Sequence, residues 1–364
     1  MDPRIRNHAE TVVDHSTEVE AGDDVVVSAP SVAEDLTLAL CEEVAERGAN
    51  PFHVSFRMDR TRAAFLGAAD PEDLELPEHE LALAEAADVW IHVRAHDNVA
   101  EMSGVSSETM SRFRKVSQPV REEILDTRWV LTQYPAPADA QNAEMSTGEY
   151  EEFVWSAIDK DWAAQKDHQQ QMVELLDAGE EVHIVSGDTT DLRMSIAGMT
   201  TINDDAGNNL PGGEVFTAPV ADSVEGEVLF DKPLVHQGHE VEDAHLRFEG
   251  GEVVDHSATK NEDVLTEVLN TDEGARRLGE LGIGMNRDID RFTYNMLFDE
   301  KMGDTVHLAV GHAYEACLPE GETGNESAVH VDMIVDMSED SFIEVDGEVV
   351  QRNGTFRFED GFEG

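Results

Sequence analysis

Two histidines and an aspartate in the last sixth of the chain have the types and spacing of a metal site. His307 lies in an alternating run at 304–311, and His330 and Asp332 lie two residues apart in a second run at 327–337. Side chains of a strand point to opposite faces with a period of two. Each run therefore separates its aliphatic residues from its His, or from its His and Asp. We expect a half-buried hairpin that carries His307, His330 and Asp332 on its polar face.

Two glutamates further upstream are candidate carboxylate ligands. Glu214 follows a Pro-Gly-Gly turn at the start of a predicted strand, and Glu280 stands where a helical segment runs out into glycines. Both lie among apolar residues and glycines, and glycine allows backbone or a ligand to approach closely. The ordinary alternative for a single Glu is a solvated surface charge. For a lone strand His, it is a hydrogen-bonded residue without a ligand.

Together the five residues offer two imidazoles and three carboxylates. This donor set suits Zn²⁺, Co²⁺ or Mn²⁺ and contains enough oxygen atoms to bridge two ions. Two ions about 3.5–4 Å apart can activate a bridging water and hold the carbonyl oxygen under attack. The predicted cofactor is therefore a pair of divalent metal ions.

A second histidine-rich segment, residues 236–245, is not predicted to bind a metal. It lacks the HExxH spacing, because Glu240 follows His239 and the next histidine is six residues further on. Acidic residues surround these histidines, so we interpret the segment as a solvated strand or loop. Cys41 and Cys317 are far apart and form no CxxC pair, and they predict neither a zinc site nor a disulfide.

The chain is strongly and evenly acidic. Its 79 Asp and Glu residues, against 25 Lys and Arg, give a formal net charge of −54. Such a charge repels itself unless salt screens it, and the screening length falls to about 3 Å at 1 M salt. We therefore predict a protein from a halophile; the alternative is an acidic protein that binds a basic partner. Nucleic acid is not an expected partner, because no basic stripe is present to neutralise phosphates.

Length and hydrophobic pattern set limits on the fold. With 364 residues and 40% hydrophobic content, the chain is long enough for two domains. It contains no run of about 18 apolar residues, the length that a membrane span requires. Residues 1–16 have no apolar signal core, so we expect a cytoplasmic protein without a membrane partner.

The pattern of the chain changes near its middle. Short aliphatic runs alternate with helical segments at first, which is typical of βαβ units around a parallel sheet, and no glycine-rich phosphate loop follows them. From residue 181 onward, short alternating runs indicate antiparallel strands, broken by one helix predicted at 262–278. We predict an α/β domain over residues 1–165, with an open and mostly parallel sheet. A β-rich antiparallel (α+β) domain with the metal site is predicted over 166–364.

Five segments of the second half, all in order, resemble the M29 aminopeptidases, the aminopeptidase T and aminopeptidase S group of metallopeptidases. They are TTDLRMSIAG, NNLPGGEVFTAP, RRLGELGIGMN, LFDEKMGDTVHLAVGHAY and NESAVHVDMIVDM. A looser N-terminal pattern, DDVVVSAPSVAEDLTLALCEEVAERGANP, is also similar to the start of that family. The resemblance therefore spans nearly the whole chain.

The resemblance implies roles for individual residues. The family's metal ligands match Glu214, Glu280, His307, His330 and Asp332. Glu280 is the natural bridging carboxylate, and Tyr314 matches a family active-site tyrosine that donates to a developing oxyanion. Glu300 is a candidate further ligand, or a base behind the ligands. The implied fold is an α/β domain plus a β-rich domain, assembled as a homodimer that encloses the active site.

The implied function is metal-dependent release of N-terminal amino acids from peptide substrates. Glu280 or Glu300 would manage the proton of the attacking water, and Tyr314 would assist. Two alternatives remain open. One is a ring-cleaving oxygenase of dihydroxypyridines that uses a single iron on a related fold, and the other is a non-catalytic protein that binds metal or peptide. The oxygenase needs fewer carboxylate ligands, which favours the peptidase.

Overall fold

The computed structural model describes residues 2–50, 52–236 and 238–364. They fall into two compact units: the first is the chain up to Lys160 with Ala206–Gly212, and the second is Asp161–Asp205 with Gly213–Gly364. The division into functional domains at residues 165 and 166 stays a prediction. No described helix is both long and apolar enough to cross a membrane.

Strands and helices are numbered in chain order over the described residues. The strands are β1 Val25–Pro30, β2 Phe52–Arg57, β3 Val89–Arg94, β4 Arg128–Gln133, β5 Glu181–Ser186, β6 Thr190–Ser195, β7 Ile202–Asp204, β8 Asn209–Leu210, β9 Glu214–Thr217, β10 Glu225–Phe230, β11 Leu234–His236, β12 His239–Val241, β13 Ala244–Glu249, β14 Glu252–Ser257, β15 Leu278–Gly284, β16 Thr305–Gly311, β17 His330–Asp336, β18 Ser341–Val345, β19 Glu348–Arg352 and β20 Thr355–Phe356. The α-helices are α1 Pro3–Thr11, α2 Glu34–Glu46, α3 Asp59–Ala68, α4 Glu78–Ala86, α5 Ser107–Val116, α6 Gln118–Leu125, α7 Pro137–Asn142, α8 Thr147–Ile158, α9 Trp162–Asp177, α10 Glu262–Leu269 and α11 Met296–Asp299.

A parallel sheet forms the centre of the first unit. Its five strands run in the order β2-β1-β3-β4-β8, and every neighbouring pair is parallel. Helices lie in the chain between β1, β2, β3 and β4. Val25, Val26 and Val27 of β1 are fully buried, as is typical of a central strand covered on both faces. This is the predicted α/β arrangement.

Antiparallel sheets dominate the second unit. One has eight strands in the order β14-β13-β10-β6-β5-β18-β19-β20, one has five in the order β17-β16-β15-β9-β7, and β11 pairs with β12. Aliphatic side chains of both large sheets share one hydrophobic core, which includes Leu192, Val228 and Leu246 with Val306 and Leu308. The predicted fold class, a parallel α/β domain with an antiparallel β-rich domain, is confirmed.

The segment around Glu280 differs from the prediction. Helix α10 ends well before it, and Glu280 lies within β15, a strand that is buried throughout. The glycines that suggested the end of a helix serve the close packing of this strand. A Cβ on Gly279 would overlap the carbonyl oxygen of His312, and one on Gly284 would overlap that of Met302.

The predicted hairpin of β16 and β17 is present, and β17 is half-buried as predicted, but β16 is buried on both faces. Every residue of β16 is buried, and His307 is only 1% exposed. Strand β16 lies between β15 and β17 in its sheet. Alternation along one strand separates two faces, but it cannot tell whether other elements cover the second face.

Candidate metal centre

Three adjacent strands bring three of the candidate ligands together. Ala309 of β16 pairs with Glu280 of β15 on one side and with Asp332 of β17 on the other. His307 lies two residues before Ala309 and therefore on the same face. The small side chain of Ala309 leaves room above it for both carboxylates. As a result, the ligand atoms of Glu280, His307 and Asp332 all lie within 4.8 Å of one another.

Glu214 borders this group from the next strand of the sheet. It opens β9, where it pairs with Gly284 of β15. Its Oε2 lies 3.1 Å from Nε2 of His307, and Oε1 of Glu280 lies at the same distance from that nitrogen. The imidazole of His307 is thus held between two buried carboxylates.

His330 borders the group from the start of β17. Its Nε2 lies 3.4 Å from Oδ1 of Asp332 and 3.7 Å from Oε2 of Glu280. Its Nδ1–H donates to the carbonyl oxygen of His312 at 2.8 Å. This hydrogen bond directs Nε2 toward the carboxylates, in the way that a metal-binding histidine is commonly oriented.

Without a metal ion, the carboxylates favour the charged form of both histidines. Burial alone would lower the pKa of His307, but Glu214 and Glu280 outweigh it and raise that pKa to about 9. Burial is outweighed at His330 too, where Asp332 and Glu280 raise the pKa to about 10. Burial raises the pKa of Glu214 and Glu280. At Asp332, burial is outweighed by the hydrogen bond and charge of His330, so the pKa is lowered.

The donor set fits a divalent metal ion. The Oε2 atoms of Glu214 and Glu280 are buried, and neither accepts a hydrogen bond from a described group, although both lie near an imidazole. A buried carboxylate oxygen without a donor is costly unless a cation compensates it. Imidazole nitrogens and carboxylate oxygens are ligands that Zn²⁺, Co²⁺ and Mn²⁺ accept.

Lys301 was not among the predicted site residues, and its side chain is completely buried beside the centre. Its Nζ lies 2.9 Å from Oε1 of Glu214 and 3.5 Å from Oδ2 of Asp204, and it also forms an ion pair with Glu300. Burial would lower the pKa of Lys301, but the carboxylates, led by Glu214, raise it well above its ordinary value. The only signal in the sequence was a lysine directly after Glu300.

Gln169 of α9 is a second residue that no sequence pattern indicated. It is fully buried, and its amide donates to the backbone carbonyl oxygens of Glu214 and Asp204 at 2.9 and 3.1 Å. These bonds anchor the end of β7 and the start of β9. Gln169 therefore sets the position from which the side chain of Glu214 reaches the centre.

The two remaining predicted site residues lie at the edge of the centre. The ring centroid of Tyr314 is 4.7 Å from that of His330, and Tyr314 is 44% exposed. The burial that remains and nearby carboxylates, led by Glu280, raise the pKa of Tyr314 above its ordinary value, so its hydroxyl keeps its proton. Glu300 pairs with Lys301 and is not a member of the convergent group.

The histidine-rich segment 236–245 forms no metal site among the described residues. His236, His239 and His245 lie on three different strands, β11, β12 and β13. His245 Nε2 faces a single carboxylate, Oε2 of Glu227, at 3.3 Å. Within the described part of the chain, the only convergent group of three or more ligand atoms is the one on β15, β16 and β17.

Comparison with known proteins shows similarity to metallopeptidases over nearly the whole chain. The sequence model of the family described as "Thermophilic metalloprotease (M29)" matches residues 1–356. Aminopeptidase T from Thermus aquaticus is 31% identical over 388 residues, which cover 93% of each chain. The structure of wild-type AmpT from Thermus thermophilus is similar with a TM-score of 0.87 at 28% identity, over 98% of this chain and 99% of that one.

A second solved structure shares the fold at much lower identity. The 2,5-dihydroxypyridine dioxygenase from Pseudomonas putida KT2440 is similar with a TM-score of 0.63 over 99% of both chains, but only 15% of the residues are identical. A likeness at this identity concerns the fold alone.

Proposed function

Because the chain belongs to the M29 family of metalloproteases, we propose that it is a metal-dependent aminopeptidase that releases N-terminal amino acids from peptides. The observation that carries the proposal is the convergence of buried Glu280 and His307 with half-buried Asp332 on three adjacent strands. Peptides are the proposed substrates, since the similar proteins are named aminopeptidases.

The proposed cofactor is two divalent ions, with Zn²⁺, Co²⁺ or Mn²⁺ as the candidates. The residues that would hold them are Glu214, Glu280, His307, His330 and Asp332. Glu280 is the candidate for a bridging carboxylate, because its Oε1 faces His307 and its Oε2 faces His330. When bound, such ions lower the pKa of a water molecule and polarise the carbonyl group that it attacks.

The protein's own side chains supply the remaining steps. Glu280 or Glu300 accepts the proton of the attacking water and returns it to the leaving amine. The hydroxyl of Tyr314 donates a hydrogen bond to the carbonyl oxygen as that oxygen gains negative charge.

Metal analysis combined with an activity panel tests this proposal. We expect two Zn, Co or Mn ions per chain and turnover of aminoacyl-nitroanilides in molar salt. The competing enzyme function is ring cleavage by an oxygenase, and one Fe per chain with oxygen uptake on 2,5-dihydroxypyridine would support that function instead of the peptidase. Bound metal without turnover of any peptide would leave a non-catalytic metal- or peptide-binding protein.

We propose further that the protein works in molar salt, in the cytoplasm of a halophile. The support is the net charge of −54, distributed over the whole chain. Only heavy screening makes a charge of this size compatible with a compact fold. A basic partner protein is the competing explanation of the same charge.

A homodimer is the proposed assembly. Strand β2, at one edge of the parallel sheet, exposes Phe52 and Phe56 on one side at 43% and 56%. Met58 and Phe65, which follow it in the chain, are 52% and 63% exposed. An exposed sheet edge with large apolar side chains favours protein–protein contact. Light scattering in molar salt should give the mass of a dimer, and a monomer mass would refute this assembly.

A further inference from the structure

Lys301 carries a charge in a place where burial is expensive. It is 0% exposed, and its ammonium group pairs with three carboxylates, those of Asp204, Glu214 and Glu300. Within the described chain it forms no ion pair with Glu280. A buried charge of this kind is tolerated only when carboxylates compensate it. Lys301 therefore belongs electrostatically to the Glu214 side of the centre.

The pairing with Lys301 also limits what Glu214 offers to a metal. Oε1 of Glu214 lies 2.9 Å from Nζ of Lys301, whereas Oε2 lies 3.1 Å from Nε2 of His307. The Gln169 amide holds the backbone of Glu214 at 2.9 Å. Glu214 thus presents Oε2 to the centre, while its Oε1 pairs with the ammonium group of Lys301.

The balance of charges around the centre also indicates that Lys301 affects metal binding on the Glu214 side. The carboxylates that form ion pairs with Lys301, His307 or His330 are Asp204, Glu214, Glu280, Glu300 and Asp332. Their five negative charges are matched by Lys301 and two divalent ions when both histidines are neutral, as metal ligation requires. Without Lys301, a second ion would meet one additional uncompensated negative charge. The lysine therefore weakens the attraction for an ion on its own side.

We propose that Lys301 is an internal cation that makes the two metal positions unequal. The position at Glu280, His307 and Asp332 binds its ion tightly, and the position on the Glu214 side binds more weakly because Lys301 repels the incoming ion. Lys301 acts through Glu214 and is a positioning residue rather than a catalytic one. This inference rests on the proposed two-metal function.

Titration of the metal-free protein with Co²⁺, followed by visible absorption and by dialysis with elemental analysis, tests the inference. The wild type should bind two ions with dissociation constants that differ by about tenfold or more, since a unit charge a few ångströms away acts strongly in a buried site. Lys301→Met should lower the dissociation constant of the weaker position by about tenfold. The dissociation constant of the tighter position should change much less. Lys301→Arg, which keeps the charge, should retain the inequality.

Lys232→Met is the matched control, because Lys232 is paired with Asp336 at 2.9 Å and does not contact the centre. It should leave both constants unchanged. The inference would be overturned if the wild type bound only one ion or bound two ions with equal dissociation constants. It would also be overturned if Lys301→Met left the dissociation constant of the weaker position unchanged or raised it.

If Lys301→Met folds only with metal bound, it can be compared with the wild type by the rate at which each protein releases its ions to a chelator. Slower release of the first ion from Lys301→Met than from the wild type supports the inference, and equal or faster release overturns it. Peptidase assays of the wild type are a separate measurement. An inactive wild type would remove the proposed aminopeptidase function but leave this comparison of metal affinities intact.

Discussion

The imidazole of His307 lies directly over Gly282, its cross-strand partner on β15. A Cβ at Gly282 would overlap Nε2 and Cε1 of the ring. The absence of a side chain at this position is what allows His307 to present Nε2 to Glu214 and Glu280. The glycine is therefore part of the candidate centre although it has no ligand atom.

Replacing this glycine should weaken metal binding and leave the fold intact. Gly282→Ala would push the ring of His307 away from the carboxylates, and metal affinity should fall by about 10–100-fold, as for other changes behind metal ligands. Gly148→Ala is the control, because nothing lies within 4 Å of a Cβ at Gly148. Co²⁺ titration checks the expectation, and wild-type affinity in Gly282→Ala would contradict it.

Glu280→Gln should remove most of the activity while the protein stays folded. The substitution keeps the shape of the side chain but removes the charge that faces His307 and His330. We expect kcat/KM on aminoacyl-nitroanilides to fall by about 10²–10⁴-fold. Glu227→Gln, at an exposed position, serves as the control. Near-normal turnover of Glu280→Gln would refute the assignment of this residue.

Tyr314→Phe should act on turnover rather than on metal binding. The ring beside His330 stays in place, but the donor for the developing oxyanion is lost. We expect kcat to fall by about 10²–10³-fold, with KM and metal content little changed. Tyr134→Phe, in the first unit, should leave kcat unaffected. A large rise in KM with normal kcat would assign Tyr314 to substrate binding instead.

Transfer to low salt should destabilise the fold. The screening length grows from about 3 Å at 1 M to about 10 Å at 0.1 M, so the 79 acidic residues repel one another more strongly. Thermal unfolding in KCl across this range should show a falling Tm. Sucrose at low salt should raise the Tm only through its general effect as an excluded osmolyte, since sucrose does not screen charge. A Tm independent of salt would contradict the halophile proposal.

The first unit should lose stability in mild acid because of His8. This side chain is fully buried, its Nε2 lies 2.6 Å from Oγ1 of Thr132, and burial lowers its pKa to about 3. The unfolded chain takes up the proton near pH 6.5, before the folded one does. Stability present above that pH is therefore lost as the pH falls toward 3, by about 1.4 kcal/mol per pH unit.

Denaturant unfolding in molar KCl at pH 7 and pH 5 measures this effect. His8→Gln should lose about 2 kcal/mol less between these pH values than the wild type does. His53→Gln, at an exposed position of β2, should show the wild-type difference. Equal pH dependence of the wild type and His8→Gln would exclude His8 as the source.

The fold class was predictable because its signals are local. Aliphatic runs separated by helical segments predicted the parallel sheet of the first unit, and alternating runs predicted the antiparallel sheets of the second. The two alternating runs around His307 and His330 do form a hairpin. The error around Glu280 came from glycines that were interpreted as the end of a helix, because the closeness of the opposing chain at Gly279 has no trace in the sequence.

By itself the sequence determined which ligand types were available and which of them share a strand face, since alternation depends only on neighbouring residues. Their assignment as ligands stays a prediction. Only the tertiary structure decided that Ala309 separates Glu280 from Asp332, that Gly282 underlies His307, and that Lys301 is buried against Glu214. These relationships depend on strand register and on contacts between residues tens of positions apart, and the pattern around each residue carries no record of them.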